Sequence, residues 1–292
     1  MSWSAAAIPQ PRKRLQPSIY GWDIMNLTFT HSNGEGRNIA VVTGASKGVG
    51  RGIALALAEA GFDIAVNYRG DSKGADLTAD SIRAIGRNAL VVQADVGFKP
   101  EVDRMFDEVL EKLGTPAVLV NNSGVQTWKP LLDLAEDEWD RVIRTNLKGT
   151  FLCTQRAGRH MAAKYWGRII NIGSGSNKAP FPNLVDYTSS KGGIEMFTRV
   201  AAVELGYYGI TVNCVAPGMI EIERTQAESP DYAGTWAPLT PLRRIGQPRD
   251  VAVAVVFLAS SQAEFITGQT IYVDGGLLSQ VPWPYPVERG KT

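Results

Sequence analysis

The feature that most constrains the fold is a regular alternation of short apolar runs with longer helix-like stretches, which starts at Ile39. Short strands that alternate with helices are typical of βαβ units, in which helices cover both faces of a buried parallel sheet. Because such crossovers are right-handed, the pattern predicts an α/β fold with one doubly wound sheet in a single domain. Strands are predicted at residues 39–42, 62–67, 89–92, 117–120, 168–172, 210–215 and 270–273. Helices are predicted at residues 50–60, 74–85, 101–113, 137–164, 186–205 and 249–258.

A glycine-rich turn follows the first predicted strand. Residues 43–50 read Thr-Gly-Ala-Ser-Lys-Gly-Val-Gly, with glycines in the spacing G-x-x-x-G-x-G. Glycines permit a tight turn and a close approach of backbone to a pyrophosphate, and the helix that follows points its N-terminal amides at the anion. The strand before the turn and the helix after it favour a dinucleotide-binding loop over a turn without a ligand. The candidate cofactor-binding residues in this loop are Gly44, Ser46, Lys47, Gly48, Val49 and Gly50.

The end of the second predicted strand indicates which dinucleotide binds. NAD sites usually place an acidic residue there, where it holds the ribose 2′-hydroxyl. Here Tyr68 and Arg69 occupy that position, and the next acidic residue is Asp71. Arg69 and Lys47 carry the positive charge that a 2′-phosphate requires. NADP(H) is therefore the favoured cofactor, and NAD(H) is the alternative.

Tyr187 and Lys191 are four residues apart, and Ser174 precedes them. In a helix, positions i and i+4 share one face, so the phenol and the ammonium would point into the same space. A free tyrosine has a pKa of about 10 and exchanges protons poorly near neutrality, whereas a nearby cation favours the phenolate. The pair therefore predicts a general acid/base, with a serine hydroxyl to hold the substrate oxygen. The spacing alone is a weak signal, because such pairs are common on solvated helix faces.

The case for a catalytic site becomes strong because several motifs occur together, in the order and spacing of one protein family. They are the glycine loop, Asn121-Asn122-Ser123-Gly124, Asn146, Ser174, Tyr187, Lys191 and Pro217-Gly218. In this set the chain resembles the short-chain dehydrogenase/reductase family, over residues 38–278. The resemblance implies a single Rossmann-type domain with a seven-stranded parallel sheet, usually assembled as a homotetramer. It also implies an NAD(P)-dependent oxidoreductase (EC 1.1.1.-) that interconverts an alcohol and a carbonyl by hydride transfer.

The resemblance gives each matching residue a role. Tyr187 would be the catalytic acid/base, and Lys191 would favour its phenolate and grip the nicotinamide ribose. Ser174 would bond the substrate oxygen, and Asn146 would hold a water in the proton relay. Besides the glycine loop, cofactor contacts are expected at Tyr68, Arg69, Asp95, Val96, Asn122, Gly124, Tyr187, Lys191, Pro217, Gly218 and Ile220.

Two departures from the family pattern bear on the site. Gly173 stands directly before the candidate catalytic serine, where a second serine is common, and this is expected to widen or loosen the pocket. Ile222 stands where the family often has a threonine that bonds the nicotinamide amide, so that hydroxyl is missing from this position.

Substrate choice is expected to come from residues after the fourth, fifth and sixth strands. The substrate-binding candidates are Ser174, Gln126, Trp128 and Phe181. Gln126 could bond sugar hydroxyls, whereas Trp128 and Phe181 could line an apolar acyl site, so these side chains do not decide the substrate. Residues 221–241 contain Tyr232 and are interpreted either as a mobile lid or as a surface connection with buried anchors.

Within the family, the chain resembles bacterial glucose 1-dehydrogenases and, in its overall motif set, 3-oxoacyl-[acyl carrier protein] reductases. A glucose 1-dehydrogenase-like enzyme is the leading interpretation. A 3-oxoacyl or general ketone reductase is the alternative. A dinucleotide-binding regulator without turnover is an alternative from another class, although it would have no need for the complete Asn146, Ser174, Tyr187 and Lys191 set.

The two ends of the chain differ from its middle. Residues 1–37 are rich in Pro, Ser, Asn and Gly, and their first acid is Asp23. They are predicted to be a flexible extension, with a weak transit-like segment or a true start at Met25 as alternatives. Residues 38–278 are the predicted catalytic domain, and residues 279–292 are a tail. The apolar part of this tail, residues 281–286, either covers a neighbouring subunit's active site or patches the domain surface.

The composition of the chain bears on which classes of binding partner are expected. The 292 residues carry a formal net charge of +1, which gives no reason to expect nucleic acid or an anionic membrane. No apolar run reaches the roughly 18 residues of a membrane-spanning helix. The expected partner is a small carbonyl or alcohol, bound by a cytoplasmic homotetramer or dimer. Cys153 and Cys214 are interpreted as core residues, and no metal site is predicted because His31 and His160 have no Cys/His cluster beside them.

Overall fold

The computed structural model describes residues 27–29 and 38–280. Most of the predicted N-terminal extension, including Met25 and His31, lies outside the described residues. The apolar stretch of the predicted tail also lies outside them.

The described chain contains a seven-stranded parallel sheet with the strand order β3-β2-β1-β4-β5-β6-β7, and this confirms the predicted doubly wound α/β fold. The direction of winding reverses between β1 and β4, and such a switch point leaves a crevice beyond the carboxyl ends of the strands. The strands are β1 Ile39–Val42, β2 Asp63–Tyr68, β3 Ala89–Gln93, β4 Val118–Asn121, β5 Gly167–Ile172, β6 Ile210–Pro217 and β7 Thr270–Val273.

Helices cover both faces of the sheet. Two short helices, α7 and α8, lie in the segment between β6 and the last helix, where the sequence predicted only a lid or a connection. The helices are α1 Gly48–Glu59, α2 Ser72–Ala84, α3 Lys99–Lys112, α4 Glu136–Ile143, α5 Gly149–Lys164, α6 Val185–Gly206, α7 Glu223–Glu228, α8 Tyr232–Trp236 and α9 Pro248–Ala259.

The single long helix predicted over residues 137–164 is wrong in one respect. Between α4 and α5, residues Arg144–Lys148 form a π-helical turn, which contains Asn146. A π-turn inserts an extra residue into the helical ladder, and such turns are frequent at functional sites. Residues 144–148 contain neither glycine nor proline, so the sequence carries no local signal for a break in the helix.

Alternate residues of β1 belong to two separate cores. Ala40 and Val42 pack with side chains of α1 and α9 on one face of the sheet. Ile39 and Val41 pack with side chains of α3, α5 and α6 on the other face. Successive strand residues point to opposite faces of the sheet. Because helices cover both faces, the residues of β1 are apolar on both sides.

The described part of the N-terminal segment packs against the residue before β2 and against the segment that follows α9. The Phe29 ring lies edge-on to Phe62, with the ring centroids 5.0 Å apart. Thr28 donates its N–H to Gln262 Oε1 over 3.1 Å and accepts from the Ser261 N–H over 2.8 Å. Among the residues with described structure, no helix has the length and apolar character needed to cross a membrane.

Truncation of Leu119 is expected to destabilise the domain strongly. This side chain lies on the central strand β4 and is fully buried. Leu119→Ala should lower the free energy of unfolding by about 2–5 kcal/mol through lost transfer energy and a residual cavity. Leu77→Ala is the matched control, because Leu77 is 53% exposed on α2. The control should change stability by less than about 1 kcal/mol. Urea denaturation of the two variants measures both values, and equal losses would contradict the assignment of the core.

Candidate active site

A cleft of about 600 Å³ opens at the carboxyl ends of the strands. Its lining comes from the segments that follow strands β1 to β6 and from helix α6. The structure therefore brings the predicted cofactor residues and the central catalytic candidates to one place. The predicted residues in the lining are Gly44, Ser46, Lys47, Gly48, Val49, Gly50, Tyr68, Arg69, Asp95, Val96, Asn122, Gly124, Ser174, Tyr187, Lys191, Pro217, Gly218 and Ile220.

Side-chain amides hold the glycine turn in shape. Gly44 has a φ of +63°, a conformation that favours glycine, and its N–H donates to Asn67 Oδ1 over 3.2 Å. Asn122 Nδ2 donates to the carbonyls of Thr43 and Gly44 over 2.8 and 3.1 Å. A Cβ on Gly50 would lie 2.3 Å from the Gly44 carbonyl oxygen. The turn and the start of α1 thus form a close backbone cradle, which fits the pyrophosphate of a dinucleotide.

Two residues that sequence reasoning missed support this cradle. The buried Asn67 donates from Nδ2 to the Ala94 carbonyl over 3.1 Å, which links the ends of β2 and β3 to the turn. Arg51 donates from Nη2 to the Ser46 carbonyl over 2.6 Å and from Nε to Thr78 Oγ1 over 3.1 Å. A polar residue inside an apolar strand is a signal that could have found Asn67. Arg51 gives no comparable signal, because cations are common on helix surfaces.

Lys47 and Arg69, the two cations predicted to meet a 2′-phosphate, follow the neighbouring strands β1 and β2. The Arg69 side chain is 56% exposed, and its Nη1 lies 3.7 Å from Asp95 Oδ2. An ion pair this open to water is worth at most about 1 kcal/mol, so Arg69 can turn to another anion at little cost. Asp71 also lines the cleft, but its carboxylate caps α2 by accepting from the Gly74 N–H over 2.9 Å.

Tyr187 and Lys191 occupy successive turns of α6, as their spacing predicts. Lys191 Nζ lies 5.5 Å from the centre of the Tyr187 ring. The same ammonium, on a buried side chain, donates to the Ile172 carbonyl at the end of β5 over 2.7 Å. An ammonium has three donors, so further donors remain for a ligand in the cleft.

Asn146 is fully buried, and its side chain bonds protein groups on two sides. Its Oδ1 accepts from the Val125 N–H over 2.8 Å, and its Nδ2 donates to the Val125 carbonyl and to Ser190 Oγ over 2.9 Å each. Ser190 Oγ in turn donates to the Tyr187 carbonyl over 2.7 Å. The amide of Asn146 therefore joins the loop after β4 to the first turns of α6.

Ser174 follows β5 and lines the cleft. Its Oγ accepts from the Ser176 N–H over 3.1 Å, which leaves the hydroxyl hydrogen for a different acceptor. Asn177, three residues further on, donates from Nδ2 to Glu195 of α6 and lies 3.5 Å from Tyr272 Oη. These contacts fix the Ser174 turn against helix α6 and strand β7.

Gly173 does not leave the void that the sequence suggested. A Cβ at this position would lie 2.6 Å from Cys214 Sγ, so the sulfur fills the space that a serine would occupy. Cys214 and Cys153 are both buried free cysteines, in agreement with the interpretation as core residues. Burial raises the pKa of Cys153 to about 12 and the pKa of Cys214 to about 11, which suits neither thiol to nucleophilic attack.

Three of the predicted substrate contacts lie outside the lining of the cleft. Gln126 accepts from Arg141 through its backbone carbonyl, and Trp128 is 56% exposed. Phe181 packs edge-on against Trp236 of α8, with the ring centroids 6.0 Å apart. Contact of these three residues with a substrate stays a prediction.

The segment between β6 and α9 contributes lining residues that the motifs did not single out, among them Thr225 and Tyr232. Thr225 does not replace the hydroxyl missing at Ile222. Its Oγ1 accepts from the Ile222 N–H and donates to the Ile222 carbonyl, both over 2.9 Å, so this hydroxyl is used to begin α7.

The described side chains contain no group of three or more His, Cys, Asp or Glu residues that could hold a metal ion. His160 lies on α5, where its Nε2 is 2.9 Å from Arg156 Nη1.

Several known proteins resemble this chain in sequence and in fold. The family model described as enoyl-(acyl carrier protein) reductase matches residues 44–278. The 3-oxoacyl-[acyl-carrier-protein] reductase FabG of Staphylococcus aureus (strain Mu50) is 44% identical over 238 residues, which are 82% of this chain and 97% of the relative. Among solved structures, a candidate gluconate dehydrogenase from Agrobacterium tumefaciens has a TM-score of 0.82 at 36% identity and covers 88% of this chain and 100% of its own. An acetoin dehydrogenase from Enterobacter cloacae has a TM-score of 0.79 at 35% identity, over 86% of this chain and 99% of its own.

The fold and the cleft define a dinucleotide-dependent oxidoreductase of the Rossmann type. The chain belongs to the short-chain dehydrogenase/reductase family. It is an NAD(P)-dependent enzyme that acts on CH–OH and C=O groups, as the sequence predicted.

Gly50→Ala is expected to weaken dinucleotide binding by at least about tenfold. The new Cβ would meet backbone and the Asn122 amide, neither of which can move without opening the turn. Gly206→Ala is the matched control, because a Cβ there has no neighbour within 4 Å. Fluorescence titration with NADPH measures both dissociation constants. Unchanged affinity in Gly50→Ala would show that the turn is not the cradle.

Proposed function

We propose that Asn146, Ser174, Tyr187 and Lys191 form the catalytic site for the interconversion of an alcohol and a carbonyl. The observation that carries this assignment is the meeting of Ser174, Tyr187 and Lys191 in the cleft that the predicted cofactor residues also line. When bound, the nicotinamide would supply or accept the hydride, and the protein would orient the reactants and handle the proton.

Each side chain has a distinct task in this proposal. The Tyr187 hydroxyl gives its proton to the substrate oxygen during reduction and takes it back during oxidation. The Ser174 hydroxyl hydrogen, which its turn leaves unused, bonds the same substrate oxygen. The Lys191 ammonium stabilises the phenolate and bonds the ribose hydroxyls of the cofactor. Asn146, which the resemblance predicts to hold a water in the proton relay, also holds the loop after β4 against α6 through Val125 and Ser190.

The comparisons and the sequence favour different substrates. Glucose 1-dehydrogenase-like activity is the leading interpretation from the sequence, and the reductase of Staphylococcus aureus supports a 3-oxoacyl thioester as the second candidate. Both substrates carry other oxygen atoms near the reacting carbon. A panel of glucose, acetoacetyl thioesters and simple ketones, followed at the reduced-nicotinamide absorbance band, separates the two candidates.

NADP(H) is the cofactor that the charges favour. Lys47 and Arg69 line the cleft after adjacent strands, and the carboxylate of Asp71, which could otherwise accept from a ribose hydroxyl, caps α2 instead. NAD(H) remains the alternative, because Arg69 already has a carboxylate neighbour in Asp95.

A second copy of the chain is the proposed protein partner. Helix α6 and the residue that follows it present an exposed apolar stripe, made of Met196, Val200, Val203 and Tyr207, of which Val203 and Tyr207 are each 82% exposed. A contiguous exposed stripe of this kind is typical of an interface between subunits. It supports the homotetramer, or a dimer, that the sequence suggested. The cytoplasmic location stays a prediction.

Tyr187→Phe is expected to reduce turnover by at least about 100-fold while NADPH still binds, because only the exchangeable proton is lost. Tyr165→Phe is the control, since Tyr165 is 63% exposed at the end of α5. The initial rate of NADPH oxidation with the substrate panel measures the effect. Near-normal turnover in Tyr187→Phe would refute the assignment, and binding without turnover in the unmodified protein would point to the regulator.

Arg69→Ala is expected to weaken NADPH binding by about 10- to 100-fold and NADH binding by less than about threefold, because only NADPH offers the 2′-phosphate to the guanidinium. Arg83→Ala is the matched control, since Arg83 pairs with Asp80 on the exposed side of α2. Titration of each variant with both dinucleotides gives the four dissociation constants. Equal losses for NADPH and NADH would contradict recognition of a 2′-phosphate by Arg69.

A further inference from the structure

The hydroxyl of Tyr232 is a polar group in the cleft that the proposed mechanism does not use. Tyr232 is the first residue of helix α8. Asp231 caps the N-terminus of this helix, because its side chain accepts from the Gly234 N–H over 3.1 Å. The side chain lines the same cleft as Ser174 and Tyr187. Its hydroxyl donates to Met219 Sδ over 3.1 Å.

A thioether is a poor partner for this donor. Methionine sulfur accepts hydrogen bonds only weakly, whereas carbonyl and hydroxyl oxygens accept them well. A ligand oxygen that came within reach would therefore take the hydrogen from Met219. The exchange would cost little, because the bond that is given up is weak.

The charge environment keeps this hydroxyl a donor. Burial is the main cause that raises the pKa of Tyr232 to about 12; Arg224 opposes the rise, and Glu228 and Tyr187 add to it. Tyr187 and Tyr232 both line the cleft. The Tyr232 hydroxyl consequently stays protonated over the neutral range, while Tyr187 is the residue assigned to exchange its proton.

Aromatic contacts fix Tyr232 relative to the reacting groups. Its ring lies 6.5 Å from the ring of Trp236 on the same short helix, and Trp236 packs edge-on against Phe181. Phe181 belongs to the connection between Ser174 and Tyr187. The position of Phe181, predicted to touch substrate directly, instead suits it to anchor α8 over the cleft.

We propose that Tyr232 is a substrate-binding residue, which donates its hydroxyl hydrogen to a second oxygen of the substrate. This inference rests on the proposed function of Ser174 and Tyr187, which hold the first oxygen. The favoured substrates are then compounds in which a hydroxyl or carbonyl oxygen lies on a carbon close to the reacting one. Simple ketones would enter the same cleft but leave Tyr232 bonded to sulfur.

The test compares Tyr232→Phe with the unmodified protein on two ketones of the same four-carbon skeleton, 2,3-butanedione and 2-butanone, with NADPH. The variant removes one hydroxyl and keeps the ring that packs on Trp236. We expect kcat/KM for 2,3-butanedione to fall by about 10- to 100-fold, because its second oxygen would be buried without a donor. The value for 2-butanone should change by less than about threefold. Each comparison is made on one substrate, so the different intrinsic reactivities of the two ketones cancel.

Tyr165→Phe controls for the substitution itself and should leave both values unchanged. Fluorescence titration with NADPH should give the same dissociation constant for Tyr232→Phe and the unmodified protein, which shows that the fold and the dinucleotide site are intact. An equal loss on both ketones, or no loss on either, would overturn the role of Tyr232. If the unmodified protein binds NADPH and reduces neither ketone nor any member of the wider panel, the proposed function itself fails, and the inference fails with it.

Discussion

The hydrogen bond from the Lys191 ammonium to the Ile172 carbonyl ties the helix that carries Tyr187 to the end of strand β5. A cation on a side chain that is only 4% exposed is costly unless it meets strong acceptors, so its surroundings must supply them. The carbonyl at the strand end is one acceptor, and the proposed phenolate and ribose hydroxyls are others. The position of α6 on the sheet, and with it the geometry of the proposed reaction, depends on this buried charge.

Buried side-chain amides extend this arrangement across the sheet. Asn121 of β4 donates to Asn171 of β5 over 2.8 Å, and Asn171 donates to Thr198 of α6 over 2.9 Å. Asn67 and Asn122 hold the glycine turn in the same manner. An amide both donates and accepts, so it can satisfy two backbone or side-chain groups at places where the regular ladder of a strand has ended. The carboxyl edge of the sheet is thereby rigid enough to hold a cofactor and a substrate in fixed relation.

The sequence predicted the strands well, since their bounds differ from the observed ones by at most two residues. Buried parallel strands are short uniform apolar runs, which are easy to recognise between glycines and helices. The candidate cofactor residues, together with Ser174, Tyr187 and Lys191, followed from ordered motifs and line one cleft, whereas Asn146 lies buried beside it. The π-turn around Asn146 was not predicted, because residues 144–148 contain no glycine or proline that would mark a break in the helix. Tyr232 was recognised only as part of a candidate lid and Arg51 not at all, because their individual contacts join segments distant in sequence.

The contact between Gly173 and Cys214 makes two distant positions behave as one. A Cβ at residue 173 would lie 2.6 Å from the Cys214 sulfur, so a serine there would force the Cys214 side chain or the nearby backbone to shift. A smaller residue at position 214 alone would leave a void, and a larger residue at position 173 alone would overlap with the sulfur. Each single substitution is therefore expected to be destabilising, whereas the two together compensate for each other. Positions 173 and 214 are therefore expected to be energetically coupled, so that the effect of substituting both residues would differ from the sum of the two single effects.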